Sequence, residues 1–164
     1  RNGKITFEQY IQAAGFDSIL QAANRHLLPM SDNQFQLYRQ TNAVGKQTNT
    51  FLDLEVLDIS TGKRLPVGNL SGGESFKASL SLALGLSDTI AENRGGIQMD
   101  ALFVDEGFGT LDSKSLEETK DALLSMSGEN KLVGIISHRD ELMDIPQKLR
   151  VTKGRGGSRI QMEL

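Results

Sequence analysis

From Thr6 to Leu28 the apolar side chains Phe16, Ile19, Leu20, Ala23 and Leu27 recur at helical spacing, with neither Gly nor Pro between Phe16 and Leu28. This pattern predicts an amphipathic helix stopped by Pro29. A strand is expected at Gln34–Arg39, followed by a polar, Asn/Thr-rich hairpin or loop over Gln40–Asn49. Within Phe51–Ile59, Leu52, Leu54 and Val56 alternate with Asp53 and Glu55, the period of a half-buried strand. Thr61-Gly62-Lys63 then turns the chain. A long helix is expected at Glu74–Asn93, where Leu80, Leu82, Ala83, Leu84 and Leu86 make it apolar on more than one side, so that it should be largely buried. Beyond it, the apolar runs Ala101–Val104 and Leu132–Ile136 flank a helix at Ser113–Ser127. Uninterrupted apolar runs joined through a helix predict neighbouring strands of a buried parallel sheet. A short helix at Asp140–Asp144 and strands at Lys148–Thr152 and Arg159–Leu164 close the chain. Neither an internal repeat nor a low-complexity tract occurs.

Composition narrows the classes. With 164 residues, 38 % of them hydrophobic and 24 % charged, the chain suits one compact domain with its own core and not a membrane-embedded or disordered chain. No apolar run approaches the roughly 18 residues of a membrane span, and no secretory leader opens the chain, so a cytoplasmic location without a membrane partner is expected. The start at Arg1, without an initiator Met, predicts a piece of something longer. The absence of Cys excludes disulfides, Cys-based zinc sites and thiol catalysis, and two His leave little for a His-rich metal site. A net charge of −3 predicts no nucleic-acid affinity for the chain as a whole. Lys153, Arg155 and Arg159, set among three glycines, read as a solvated basic hairpin.

Three constellations carry candidate chemistry. In Leu70-Ser71-Gly72-Gly73-Glu74-Ser75, Ser71 and Glu74 have the spacing of a helix capping box. A cap needs no glycine pair, whereas an anion touching backbone N–H groups at a helix start does, because a Cβ would hold it away. In Ala101-Leu102-Phe103-Val104-Asp105-Glu106, a carboxylate ends a predicted parallel strand, the place where open α/β sheets bind ligands. Asp105 is a hard oxygen ligand suited to Mg²⁺, and Glu106 can polarise a water beside a metal-bound phosphate. Two acids at a strand end are ordinarily just solvated, but Gly107-Phe108-Gly109-Thr110-Leu111-Asp112 follows at once and delivers another acid before a helix. Ser137-His138 ends the strand expected to neighbour Asp105; a lone His there is ordinarily structural.

In their order and spacing over residues 70–138, these residues resemble the C-terminal half of an ABC-type ATPase head. Leu70–Ser75 matches the signature motif, Phe103–Glu106 closes a Walker B strand, Gly109–Asp112 matches the D-loop, and His138 matches the switch histidine. Transporter domains usually place Pro-Thr-Ser after the Walker B glutamate, and chromosome-organising SMC proteins an Asp-Ala-rich stretch. Gly107–Asp112, the Leu70–Leu86 block and Ile136-Ser137-His138-Arg139-Asp140-Glu141-Leu142 instead resemble the SbcC family, the large ATPase subunits of SbcCD-type nucleases. The resemblance covers essentially the whole chain. It implies the C-terminal lobe of a P-loop NTPase-like head, a mainly parallel sheet flanked by helices, at residues 31–164. Residues 1–30 would form the root of a returning coiled-coil helix.

By the same resemblance, ATP held between two heads would meet Ser71, Gly72 and Gly73 of one head and the Walker A of the other. Asp105 would hold Mg²⁺, Glu106 would activate the attacking water, His138 would contact the γ-phosphate, and Asp112 would couple the two sites. The implied partners are the N-terminal half of the same protein, a second head in a homodimer, an SbcD-like nuclease subunit and DNA. ATP-driven head pairing would control nuclease action on DNA ends and hairpins. The Gly-Lys pairs continue as Gly3-Lys4-Ile5, Gly45-Lys46-Gln47 and Gly62-Lys63-Arg64, and none fits G-x-x-x-x-G-K-[ST]. The chain alone is therefore expected not to hydrolyse ATP. The alternatives are an SMC-like or RecN-like DNA clamp without a nuclease partner, and an inert capped-helix α/β module.

Overall fold

The computed structural model describes residues 7–40, 52–93, 100–127 and 132–163. From residue 41 on, the loop expected over Gln40–Asn49 lies outside the described residues.

Helix α1 (Phe7–Met30) runs past its expected stop, with Pro29 inside its last turn. A proline there forfeits one hydrogen bond to the turn before, a loss a helix end tolerates. The chain is turned instead by Asp32 and Asn33, both in the left-handed region (φ 53° and 59°), with the Asn33 N–H donating to the Leu28 carbonyl at 2.7 Å. Leu20, Ala22, Ala23, Leu27 and Met30 are buried, whereas Ile11, nearer the helix start, is 53 % exposed.

Strands β1 (Phe35–Arg39), β2 (Leu54–Asp58) and β3 (Lys63–Pro66) form an antiparallel sheet in that order, with Val56 opposite Leu37 and Leu65. The pattern along the chain did not announce β3, which is short, exposed throughout and ends on Pro66. Helix α1 docks on the open edge of β1 through Asn24, whose amide accepts from the Leu37 N–H (2.7 Å) and donates to the Leu37 carbonyl (2.9 Å). An edge strand is thereby capped by a side chain.

Helix α2 (Gly72–Asn93) is buried on much of its surface but not all of it: Ala78, Leu80 and Leu84 lie in the core, while Ser79, Ala83 and Leu86 form an exposed stripe. The buried Ser81 and Thr89 hydroxyls donate to the Lys77 and Gly85 carbonyls one turn back, so neither is left unpaired. At Gly85 the two long helices touch backbone to backbone, since a Cβ there would lie 2.4 Å from the Ala23 nitrogen. Replacing Gly85 with Ala must push α1 off α2. We expect a loss of about 1–3 kcal/mol, typical of overpacked cores, read as a lower urea midpoint of the protein.

Strand β4 (Ala101–Asp105) pairs in parallel with β5 (Leu132–Ile136), with helix α3 (Ser113–Met126) between them in sequence. Leu102, Val104, Val133 and Ile135 face a core completed by Leu80 and Leu84 of α2, Leu116 and Leu123 of α3, and Phe108. The fold is α/β, as expected. The expectation of burial on both faces fails, because Phe103 (64 %), Leu132 (59 %) and Ile136 (52 %) remain exposed on the other face. Sheets of this kind are ordinarily covered on both sides.

The expected short helix is a single 3₁₀ turn at Asp140–Leu142. Strands β6 (Lys148–Gly154) and β7 (Gly157–Glu163) form an antiparallel hairpin whose paired Leu149/Met162 and Val151/Ile160 share one face and are 62–70 % exposed. Its basic residues are solvated as expected, and Arg150 donates to Glu163 at 2.8 Å, which holds the Glu163 carboxyl below the usual range. Among the described residues no helix is long and apolar enough to cross a membrane.

Candidate functional site

The parallel register places Asp105 opposite Ile136 at the C-terminal end of the sheet, and the ladder continues one residue further as the Glu106 N–H donates to the Ile136 carbonyl at 2.9 Å. Immediately there the chain reverses: Glu106 and Gly107 both adopt positive φ (57° and 92°). A non-glycine residue held in this region is costly and persists only where its surroundings enforce it. Enforcement comes from Phe108, fully buried and packed edge-on against Phe76 of α2 with ring centroids 5.1 Å apart. Gly107 is obligatory, since a Cβ would fall 2.1 Å from the Phe76 ring. The outcome is a Glu106 side chain turned outward beside the end of β5.

His138 arrives from that end. Its Nδ1 lies 3.1 Å from Glu106 Oε1, so a protonated Nδ1 donates to the carboxylate. Both side chains are more than half exposed (79 % and 54 %), so the contact adds little stability and can be exchanged for a ligand. Asp105, exposed beside them, is a single carboxylate. Among the described residues no group of three or more His, Asp and Glu could hold a metal unaided. A lone carboxylate suits a cation that draws most of its ligands from water and phosphate, which is the habit of Mg²⁺.

The second group sits at the head of α2. The capping box is formed in both directions: the Ser71 N–H donates to Glu74 Oε2 (2.7 Å) and the Glu74 N–H donates to Ser71 Oγ (3.3 Å). Ser71 Oγ thus uses one lone pair and keeps its O–H free to donate, while the first-turn N–H groups of Gly72 and Gly73 have no acceptor within the helix. The glycine pair has a further cause that spacing alone did not reveal. A Cβ at Gly72 or Gly73 would come 3.3 Å from the Thr110 side chain or 3.0 Å from its carbonyl oxygen, respectively. The loop therefore packs against residues 110–111 of its own chain.

Asp112 caps α3, accepting from the Ser115 N–H at 2.7 Å, a bond that holds its carboxyl below the usual range. Ser71, Gly73, Thr110 and Asp112 line one cleft of about 370 Å³, together with Asp32, Lys77, Lys114 and Glu118. Asp105, Glu106 and His138 lie outside it. The candidate residues thus fall into two groups joined by the turn from Gly107 to Leu111. The motifs include Thr110 within the D-loop match without giving it a role of its own, and they omit Phe76 and Lys77; Lys77 stands out in the sequence as the one charge between Glu74 and Asp88.

Comparison with known proteins closes the question of family. The family described as SbcC/RAD50-like, Walker B motif, matches residues 43–124, half of the chain. The chain belongs to the SbcC/RAD50-like family. Its similar relatives include the SbcC components of the SbcCD nuclease from Staphylococcus aureus strains JH9 and Newman, each 42 % identical over 151 residues, which is 92 % of this chain. The chain spans 15 % of the length of those relatives. Among solved structures, one described as "Structural biochemistry of ATP-driven dimerization and DNA stimulated activation of SMC ATPases" matches with a TM-score of 0.71 at 15 % identity, covering 94 % of this chain and 88 % of that one. The SMC head domain from Thermotoga maritima matches at 0.61 and 17 % identity, covering 94 % and 51 %. This SbcC/RAD50-like chain therefore has the fold of an SMC ATPase head lobe.

Proposed function

We propose that the chain is the C-terminal half of an SbcC-type ATPase head whose ATP-driven pairing with a second head controls a nuclease partner acting on DNA ends and hairpins. The observation carrying this proposal is the convergence of Asp105, Glu106 and His138 at one sheet end in a strained, enforced turn. Glu106 takes the proton of the attacking water, which its outward aim and solvent exposure permit. His138 releases Glu106 to hydrogen-bond the γ-phosphate. Asp105 would hold Mg²⁺, which would supply charge neutralisation at the phosphate oxygens. Ser71 Oγ and the N–H groups of Gly72 and Gly73 receive the phosphate of ATP held by the opposing head, at the positive end of α2. Asp112, at the head of α3, couples the two sites across the interface.

The reading assigns residues 1–30 to the root of a returning coiled-coil arm and residues 31–164 to the lobe; among the described side chains of α1, fully buried core positions begin at Leu20. The N-terminal half brings the Walker A and covers the apolar faces of β4–β5 and of the β6–β7 hairpin, which water contacts here. Likeness to SMC heads favours a second reading, an SMC-like or RecN-like clamp that embraces DNA without a nuclease. Affinity purification of the full-length protein separates the two. Recovery of a stoichiometric metallophosphoesterase partner is expected, and its consistent absence would leave the clamp.

A further inference from the structure

Lys77 is the one charged residue buried in the first half of α2, with only 9 % of its side chain exposed. Burying an ammonium group is expensive unless it is paired, and its partner is Glu118 of α3, 3.3 Å away. Glu118 also meets Lys114 (3.4 Å), and Lys114 reaches Asp32, just past the end of α1, at 2.8 Å. The carboxyls of Asp32 and Asp112 are both held below the usual range, first by the Lys114 hydrogen bond and the Ser115 N–H respectively, and the Lys77 charge adds at each. One buried cation on α2 therefore pairs with α3 and acts on the carboxylates at the head of α3 and just past the end of α1. Directly above it, Gly73 packs against the Thr110 carbonyl.

We propose that Lys77 is a positioning residue that clasps α2 to α3, so that Ser71 and Asp112 are presented to a nucleotide as one rigid unit. The inference rests on the reading of Ser71 given above. It requires that loosening the clasp disturb both loops together, although Lys77 hydrogen-bonds neither.

The test is hydrogen exchange on the full-length protein, comparing the Ser75 amide, bonded to the Ser71 carbonyl, with the Ser115 amide, bonded to Asp112. Lys77→Met, which keeps length and packing, should speed exchange at both amides by about tenfold, and raise by a similar factor the ATP concentration needed for head pairing. Lys77→Arg should restore both, and Glu118→Gln should reproduce the loss from the opposite helix. Lys120→Met, which removes another buried lysine paired with Glu117 and Asp144, should leave both amides at parental rates. Unchanged exchange in Lys77→Met, a change at Ser75 without Ser115, or an equal effect from Lys120→Met overturns the proposal. So does faster exchange with parental ATP dependence. Ser71→Arg assayed alongside separates the two failures: if it too pairs normally, the reading of Ser71 has fallen as well.

Discussion

Glu106→Gln in the full-length protein is expected to lower ATP turnover by about 10²–10⁴-fold while ATP-bound, paired heads accumulate. The substitution keeps shape and hydrogen-bonding capacity but removes the carboxylate proposed to accept the proton from water. Binding precedes that step, so the affinity for ATP should stay near the parental value. Asp105→Asn, one residue earlier, should do the reverse: a weakened Mg²⁺ site impairs Mg²⁺–ATP binding itself, and the paired state should not form. Sizing with ATP and Mg²⁺, together with phosphate release, reads both variants. Parental turnover in Glu106→Gln, or failure of both variants to pair, contradicts the roles assigned to these carboxylates.

Ser71→Arg is expected to abolish ATP-induced pairing with the fold retained. Its local cost is the capping hydrogen bond, about 1 kcal/mol, because Ser71 is exposed and the Glu74 carboxylate can still accept from the residue 71 N–H. Its bulk and charge, however, would fill the space through which, on the proposed reading, the opposing nucleotide approaches the N–H groups of Gly72 and Gly73. Pairing should vanish in a sizing experiment with ATP, while the circular dichroism spectrum and melting temperature change little. Normal pairing would place Ser71 away from any phosphate.

Long elements with a clear period are legible in the sequence: α2, α3 and the parallel β4–β5 pair stand where the apolar residues placed them. Features that depend on contact between distant segments were not. Pro29 did not end α1, because a proline in the last turn costs little and the left-handed pair Asp32-Asn33 makes the turn instead. Strand β3 has no apolar alternation to betray it, being an exposed addition to a sheet whose core contacts are Phe35, Leu37 and Val56. The apolar runs 101–104 and 132–136 announced strands but not that one of their faces would be open. At the site, residue type and spacing together with the family resemblance picked out Ser71, Asp105, Glu106, Asp112 and His138 as candidates. That Gly73 yields to Thr110, Gly107 to Phe76, and Gly85 to Ala23 follows only from packing, since a glycine's neighbours in sequence do not record what approaches it in space. Lys77 belongs to the same class, its role set by a partner 41 positions away.

Phosphate release from ATP and Mg²⁺ by this chain, by a separately made N-terminal half bearing the Walker A, and by the two mixed tests the central claim most directly. On the proposed division of labour, the cradle and lysine for the β- and γ-phosphates belong to one half and the water-activating carboxylate to the other. Each half alone should release phosphate no faster than buffer, and the mixture should turn over ATP in a manner lost with Glu106→Gln. Steady Mg²⁺-dependent hydrolysis by this chain alone, or an inactive mixture in which the halves nonetheless associate, would contradict the account.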